Sequence, residues 1–361
     1  MKKISVIILG LMLVLCMTGC GKEKEKIVVK EPVKHEDPVV VPVTPTEPVV
    51  DHTGQGRSYL TGEWVSQEIL SQRPLAIMIA NTPDVCPQSA IEQAQIIYEV
   101  PVEGGITRLL AVFEDYNKIE KIGSVRSCRY YYVYYASEFN ALYAHYGQSA
   151  YANELLKNPK VNNISGMDSG TEGVVFYRTK DAKPPHNAFA KGSGILAFAQ
   201  KKGYSTTYDP SYQGHYQFAS DTEQTNLVSG AIANKVESGF YISHSYFEYN
   251  KEDQYYYRFQ NNIPHKDALT NNQLKFKNIL VQFSSIGYMP DKKSLQIETL
   301  GTGTGKFITN GKAIDITWEK KTEFGVTHYY DLQKNEIKLN QGKTCVLVID
   351  QKHQSQLIIR E

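Results

Sequence analysis

Ile96-Ile-Tyr-Glu-Val-Pro-Val102 and Ile106-Thr-Arg-Leu-Leu-Ala-Val-Phe113 flank the pair Gly104-Gly105. Two apolar runs of strand length around adjacent glycines read as neighbouring strands joined by a tight turn, because glycine alone enters positive φ without steric cost. Upstream, Leu75-Ala-Ile-Met-Ile-Ala80 is apolar throughout. It therefore suits a strand buried on both faces. Helical segments are expected between the strands: a short connection over Ile91–Gln95, then Arg126–Phe139, Ala150–Lys157, and Gly192–Lys202 closed by Gly203. Ala141–Tyr146 reads as a further short strand ending at Gly147. Alternating strands and helices assign residues 57–222 to a mixed α/β domain.

From Ser238 onward the pattern changes. Phe247-Glu-Tyr, Tyr255–Phe259, Ile279–Phe283, Leu295–Thr299, Lys306–Thr309, Ala313–Trp318, Thr327–Tyr330 and Cys345–Ile349 are short runs separated by turn residues such as Asn310-Gly311 and Gln341-Gly342. That spacing predicts a smaller, mostly-β domain over 238–361, a sandwich or small barrel. Gly301-Thr-Gly-Thr-Gly305 lacks the lysine-serine ending of a phosphate loop and reads as a flexible hairpin connection. The fold class expected for the whole chain is α+β.

The N-terminus supplies an address. Met1-Lys2-Lys3 precedes the apolar run Ile4–Val14, which closes on Met17-Thr18-Gly19-Cys20. This is the layout of a secretory signal peptide, residues 1–20. The cysteine at the cut site resembles the lipobox of bacterial lipoproteins, in which Cys20 would carry the acyl chains (palmitate among them) that hold the protein to the membrane. The run is shorter than the ~20 apolar residues a spanning helix needs. Residues 21–56 combine a Lys/Glu run with Pro32, Pro38, Pro42, Pro45 and Pro48. Such a segment is expected to be an extended, disordered tether reaching up to roughly 100 Å from the extracytoplasmic face of the cell membrane.

Composition excludes several classes. The 361 residues carry a formal net charge of +1, which leaves no field to attract nucleic acid. Outside the leader, Cys86, Cys128 and Cys345 leave an odd thiol, and no Cys or His cluster has metal-ligand spacing. No disulfide framework, metal or cofactor is implied. The 25 tyrosines suit half-buried strands and sugar- or peptide-binding surfaces.

Polar chemistry concentrates between Glu99 and Gly147. There stand Glu103-Gly-Gly-Ile-Thr-Arg108, Gly123-Ser-Val-Arg-Ser-Cys-Arg129 and His145-Tyr-Gly147, followed later by Arg178 and Pro185-His-Asn187. At these residues the chain resembles the YerB-type family of bacterial lipoproteins, an extracytoplasmic group without an established activity. The resemblance covers about Arg73 to Val348. It implies a two-part architecture and no known substrate. In the family pattern the position of Cys128 is usually small and non-nucleophilic.

Arg108, Arg126 and Arg129 offer forked donors suited to carboxylate or phosphate. Ser127, at an expected helix start, would add a hydroxyl and a helix N-terminus. His145, Arg178, His186 and Asn187 complete a candidate anion-binding cleft. Its ligand would be a cell-wall polymer or another anionic envelope component. The bland alternative is a buried network in which Glu99, Glu103 and Asp115 pair the arginines. A second class is a cell-wall hydrolase or transferase using His145 and His186 with Glu103, and Cys128 as nucleophile. A third is a scaffold for a protein partner. Glu99 and Glu103, four apart on a strand, would stand about 13 Å from each other, too far for a glycosidase pair. His265, His328 and His353 are isolated in sequence and expected at the surface.

Overall fold

The structure is a computed structural model and describes residues 51–361. The signal peptide, Cys20 and most of the expected tether lie outside the described residues.

Strands outnumber helices, and eleven of them join one sheet. Its strands in chain order are β1 (Leu75–Ala80), β2 (Ile96–Pro101), β3 (Thr107–Phe113), β4 (Leu142–His145), β5 (Asn163–Ser165), β6 (Ala231–Ile232), β7 (Asn278–Ser284), β8 (Gly301–Thr309), β9 (Lys312–Lys320), β10 (His328–Tyr330) and β11 (Thr344–Asp350). Across the sheet the order is β6-β9-β8-β7-β11-β2-β3-β1-β4-β5, with β10 on β9. Strands β7, β11 and β2 pair in parallel, as do β1, β4 and β5. β3 is antiparallel to both β2 and β1, so those six strands all point the same way.

β1 shows why the sequence folds so. All six of its residues are buried. Leu75, Ile77 and Ile79 enter one core, whereas Ala76 and Met78 enter the core on the opposite face. An unbroken apolar run is what a strand covered on both faces requires. The turn between β2 and β3 holds Gly104 at φ 80° and Gly105 at φ 73°, as expected of that glycine pair. Asn310 (φ 48°) and Gly311 (φ 73°) make the two-residue connection of β8 to β9.

Helices are shorter than the sequence predicts. The expected helix over Arg126–Phe139 forms only as α1, Tyr130–Ser137. Residues 124–129 instead run extended because their backbone is drawn into hydrogen bonds with the sheet. In α1, Tyr131 and Tyr132 bury their rings in the core and send hydroxyls to strand-end carbonyls. Tyr131 donates to Pro101 at 2.8 Å and Tyr132 to Val100 at 2.9 Å. Buried tyrosines need such partners. Ala150–Lys157 is two short 3-10 turns, not one helix. The expected Gly192 helix is α2, Gly192–Lys201. A Cβ at Gly192 would sit 1.6 Å from the Tyr116 carbonyl oxygen, so only glycine fits that approach.

The second half does not close into a sandwich or barrel of its own. Strands β7, β8, β9 and β11 extend the sheet of the first half through the β11–β2 pairing. Six others, Lys235–Glu237, Tyr246–Asn250, Tyr255–Gln260, Ile263–Pro264, Lys275–Phe276 and Ile358–Arg360, form a separate six-stranded sheet. Gly301–Gly305, expected as a flexible connection, is the first part of β8 and pairs with β9 from Gly301↔Lys320 onward. Its glycines make room: a Cβ at Gly303 would lie 2.4 Å from the Trp318 indole, and one at Gly305 would lie 2.1 Å from the Val281 carbonyl oxygen.

Candidate functional site

β1 and β4 pair only over Leu75–Ile77 and Leu142–Ala144. Beyond that register the segment 124–129 is inserted between their carboxyl ends. Arg126 N donates to Met78 O at 2.9 Å, and Ala80 N to Ser124 O at 3.0 Å. On the other side Tyr146 N donates to Arg126 O, and Cys128 N to Gly147 O, both at 3.0 Å. Hydrogen-bonded to both strands, the inserted segment presents its side chains at their carboxyl ends, where open sheets of the α/β kind commonly bind ligands.

The inserted segment and the start of β3 bring three arginines together. Arg108, opposite Ala80 in the ladder, is 6 % exposed, and its Nη1 donates to the Ser127 carbonyl. Arg129 holds Glu103 through Nε at 2.8 Å and Nη2 at 2.6 Å. The other Glu103 oxygen accepts from Leu295 N at 3.2 Å. Arg126 is half-buried and donates to Pro185 O at 2.9 Å. Among the described residues no carboxylate pairs with Arg108, Arg126 or Arg178. Burial, with the Arg129 and Arg126 charges beside it, pulls the Arg108 pKa down to about 10. At that value the guanidinium stays charged at neutral pH, beside two other cations.

The remaining candidates surround this cluster. Arg178 is exposed, lies 4.5 Å from the Tyr146 ring centre and donates to Asn187 Oδ1 at 2.8 Å. His186 Nε2 is 3.5 Å from Asp84 Oδ2, and its buried Nδ1 has no partner. Burial and the Arg126 charge lower the His186 pKa, against the pull of Asp84. Ser127 Oγ donates to Tyr146 O at 3.1 Å. It lies three residues before α1, whose N-cap is Arg129, so the expected helix-start position is not realised.

Two models of one family match the chain: the N-terminal domain of a protein of unknown function (DUF3048) over residues 60–205, and its C-terminal domain over residues 236–346. The chain belongs to this family. YerB of Bacillus subtilis (strain 168), named a candidate lipoprotein, is 27% identical over 274 residues, 75% of this chain and 80% of that protein. The crystal structure of YerB protein from Bacillus subtilis superposes with a TM-score of 0.74 at 25% identity, covering 84% of this chain and 99% of that one.

Other candidates are occupied or sealed. His145 is fully buried, with Nδ1 2.8 Å from Gly147 O and Nε2 2.7 Å from Asn163 Oδ1. A proton on Nδ1 serves the carbonyl, and a turned Asn163 amide would serve Nε2. No ring nitrogen is left to act as a base. Burial lowers its pKa further. Cys128 is likewise sealed: burial pushes its thiol up to about 12, despite Arg129 and Arg108 nearby, so it is no activated thiolate. Glu103 is half-buried and its pKa is lowered, because the Arg129 hydrogen bonds and charge, with backbone donors, outweigh burial. An ionised, paired carboxylate is a poor proton donor.

The network expected around Glu99 forms with a different arginine. Glu99 Oε2 binds Arg258 at 2.8 Å and Ser245 at 2.8 Å. Its Oε1 accepts from Asn81, Thr107 and Ser243. Asp115 is exposed and pairs with no arginine. His265, expected at the surface, is buried in this network against Arg258, with Nε2 2.6 Å from Gln88 Oε1. His328 is partly exposed and paired with Glu336, and His353 is exposed. A second buried group joins Glu138 to Lys320 and to His215 at 3.0 Å. Arg258, His215 and Lys320 carry no local sequence signal for their carboxylates, since each finds its glutamate more than 70 residues away.

Proposed function

We propose that this chain is a membrane-anchored lipoprotein of the extracytoplasmic face, held at Cys20, that binds an anionic cell-envelope ligand through the Arg108–Arg126–Arg129 cluster. The address rests on the signal-peptide pattern and on the lipoprotein name of the Bacillus relative. No described helix is long and apolar enough to cross a membrane.

The observation that carries the ligand reading is Arg108. It is almost wholly buried, faces two further arginines, and has a backbone carbonyl in place of a carboxylate. Burying a cation without a counter-charge costs several kcal/mol. An anion completing the cluster would recover part of that cost, with Arg126, Arg178 and His186 at the solvent side. Forked guanidiniums favour phosphate or carboxylate over halide-like anions. The enzyme alternative loses support, because His145 and Cys128 lack the freedom that base and nucleophile need.

The test is retention of the full chain on peptidoglycan sacculi with and without their phosphate-rich polymers. The proposal expects retention that falls with added salt and is lost in Arg126→Ala with the fold intact. Equal retention of wild type and Arg126→Ala overturns it.

A further inference from the structure

A cleft lies at the other end of β1 from the arginine cluster. Arg73 precedes that strand, while Arg108 stands opposite its last residue, so roughly 20 Å of strand separates the two places. The cleft has a volume of about 1020 Å³ and is lined by Asn140, Lys160, Asn162, Tyr208, Tyr212 and Phe324 among others. That is the upper end of the range for small-molecule sites.

Its walls are fixed. Arg73 is buried and spends its guanidinium on neutral oxygens: Nε on Asn140 O at 2.6 Å, Nη1 on Asn162 Oδ1 and on Ser205 O at 3.1 Å, and Nη2 on Ala141 O at 3.2 Å. One side chain thus fastens three chain segments. Asn140 Oδ1 accepts from Asp209 N at 3.0 Å, and Tyr212 donates its hydroxyl to Glu138 O at 3.0 Å. The Tyr208 and Tyr212 rings stack at 5.1 Å and 5°, each braced edge-on by Tyr59. Phe324 is half-buried, packed edge-on against Tyr134 at 5.8 Å.

The chemistry differs from that of the arginine cluster. Arg73 is surrounded by carbonyl oxygens, and Lys160 and Asp209 oppose each other in sign. Lys160 makes no ion pair among the described residues, and Asn162 engages only its Oδ1, leaving its two amide donors outside that bond. Asn140 and Asn162 add amide donors and Gln213 an amide oxygen, while the Ser137 and Ser211 hydroxyls donate to Val133 O and Asp209 Oδ1. Aromatic rings with many neutral donors and acceptors match a sugar, which presents C–H faces to rings and a rim of hydroxyls to amides. A wall that is already ordered limits the entropy lost on binding, which weak, polar ligands need most.

We infer that the Arg73–Tyr212–Phe324 cleft is a second binding site, which takes an uncharged oligosaccharide. It is independent of the anion-binding reading, and a neutral probe separates the two. The experiment titrates the full chain with chitotetraose, read by calorimetry and by the tyrosine ring resonances. The expected result is saturable binding at or below about 1 mM. Phe324→Ala should weaken it about tenfold. Gln213→Trp, an exposed substitution on the rim, should block it, while Arg126→Ala should leave it unchanged. Circular dichroism and unchanged melting of Gln213→Trp exclude unfolding as the cause. Absence of saturable binding in the wild type, or binding that survives both cleft variants, overturns the inference.

Discussion

Glu99 Oε2 and Arg258 Nη2 lie 2.8 Å apart with both side chains fully buried, 159 residues apart in sequence. The pair joins β2 of the first family-matched segment to a strand of the second. Breaking one side strands the other charge away from water. Arg258→Met should therefore cost about 3–5 kcal/mol in urea unfolding. Arg360→Met, which breaks the largely exposed pair with Glu237, should cost under about 1 kcal/mol. Equal losses at the two sites would contradict this account.

Stability should depend on pH in two opposed windows. Burial pushes Glu114 up to about 7, against hydrogen bonds from Ser58 and Leu60. A carboxyl whose folded pKa is raised gives stability that is full below its unfolded value and is lost as pH rises. Between about pH 4.5 and 7 that loss should reach roughly 3 kcal/mol. Glu138 has the opposite sign. Burial raises its pKa, but Lys320 and His215 more than reverse this and leave it at about 2. Its contribution is present above the unfolded value and fades as pH falls from about 4.5 towards 2. Urea midpoints across pH should show the upper decline in the wild type and not in Glu114→Gln. A decline that persists unchanged in Glu114→Gln would exclude Glu114 as its source.

Cys128 should behave as a small buried hydrophobe. In the folded protein it should resist thiol reagents at neutral pH, and Cys128→Ala should keep ligand binding while losing about 1–2 kcal/mol of stability. Rapid labelling of Cys128 in folded protein would show a reactive site that burial does not allow.

Cys20→Ala should abolish incorporation of labelled palmitate into the chain, because that thiol is the proposed acylation site. Undiminished palmitate labelling of that variant would contradict attachment at Cys20.

Local pattern made much of the fold legible. Leu75–Ala80 could be read as a two-sided strand, and Asn310-Gly311 as a hairpin turn, because each signal lies in consecutive residues. The length of α1 could not be read so. Residues 124–129 are held out of helix by Met78, Tyr146 and Gly147, which are distant in sequence. The same holds for β11, whose parallel pairing with β2 carries the sheet across both halves. At the candidate site, the arginines and Glu103 stood out as a cluster, and the Arg129–Glu103 pair forms. The sequence could not show that His145 is fastened at both nitrogens, or that Glu99 belongs to Arg258. Those facts depend on Asn163 and Arg258, which no spacing rule connects to them.

The most direct measurement is the affinity of the full chain for poly(glycerol phosphate), compared between wild type and Arg126→Ala over a range of salt. The account expects saturable wild-type binding that weakens as salt rises, and a loss of about tenfold or more in a folded Arg126→Ala variant. Wild-type binding that is absent, or that is unchanged by salt and by the substitution, would contradict an anion site at the carboxyl end of β1.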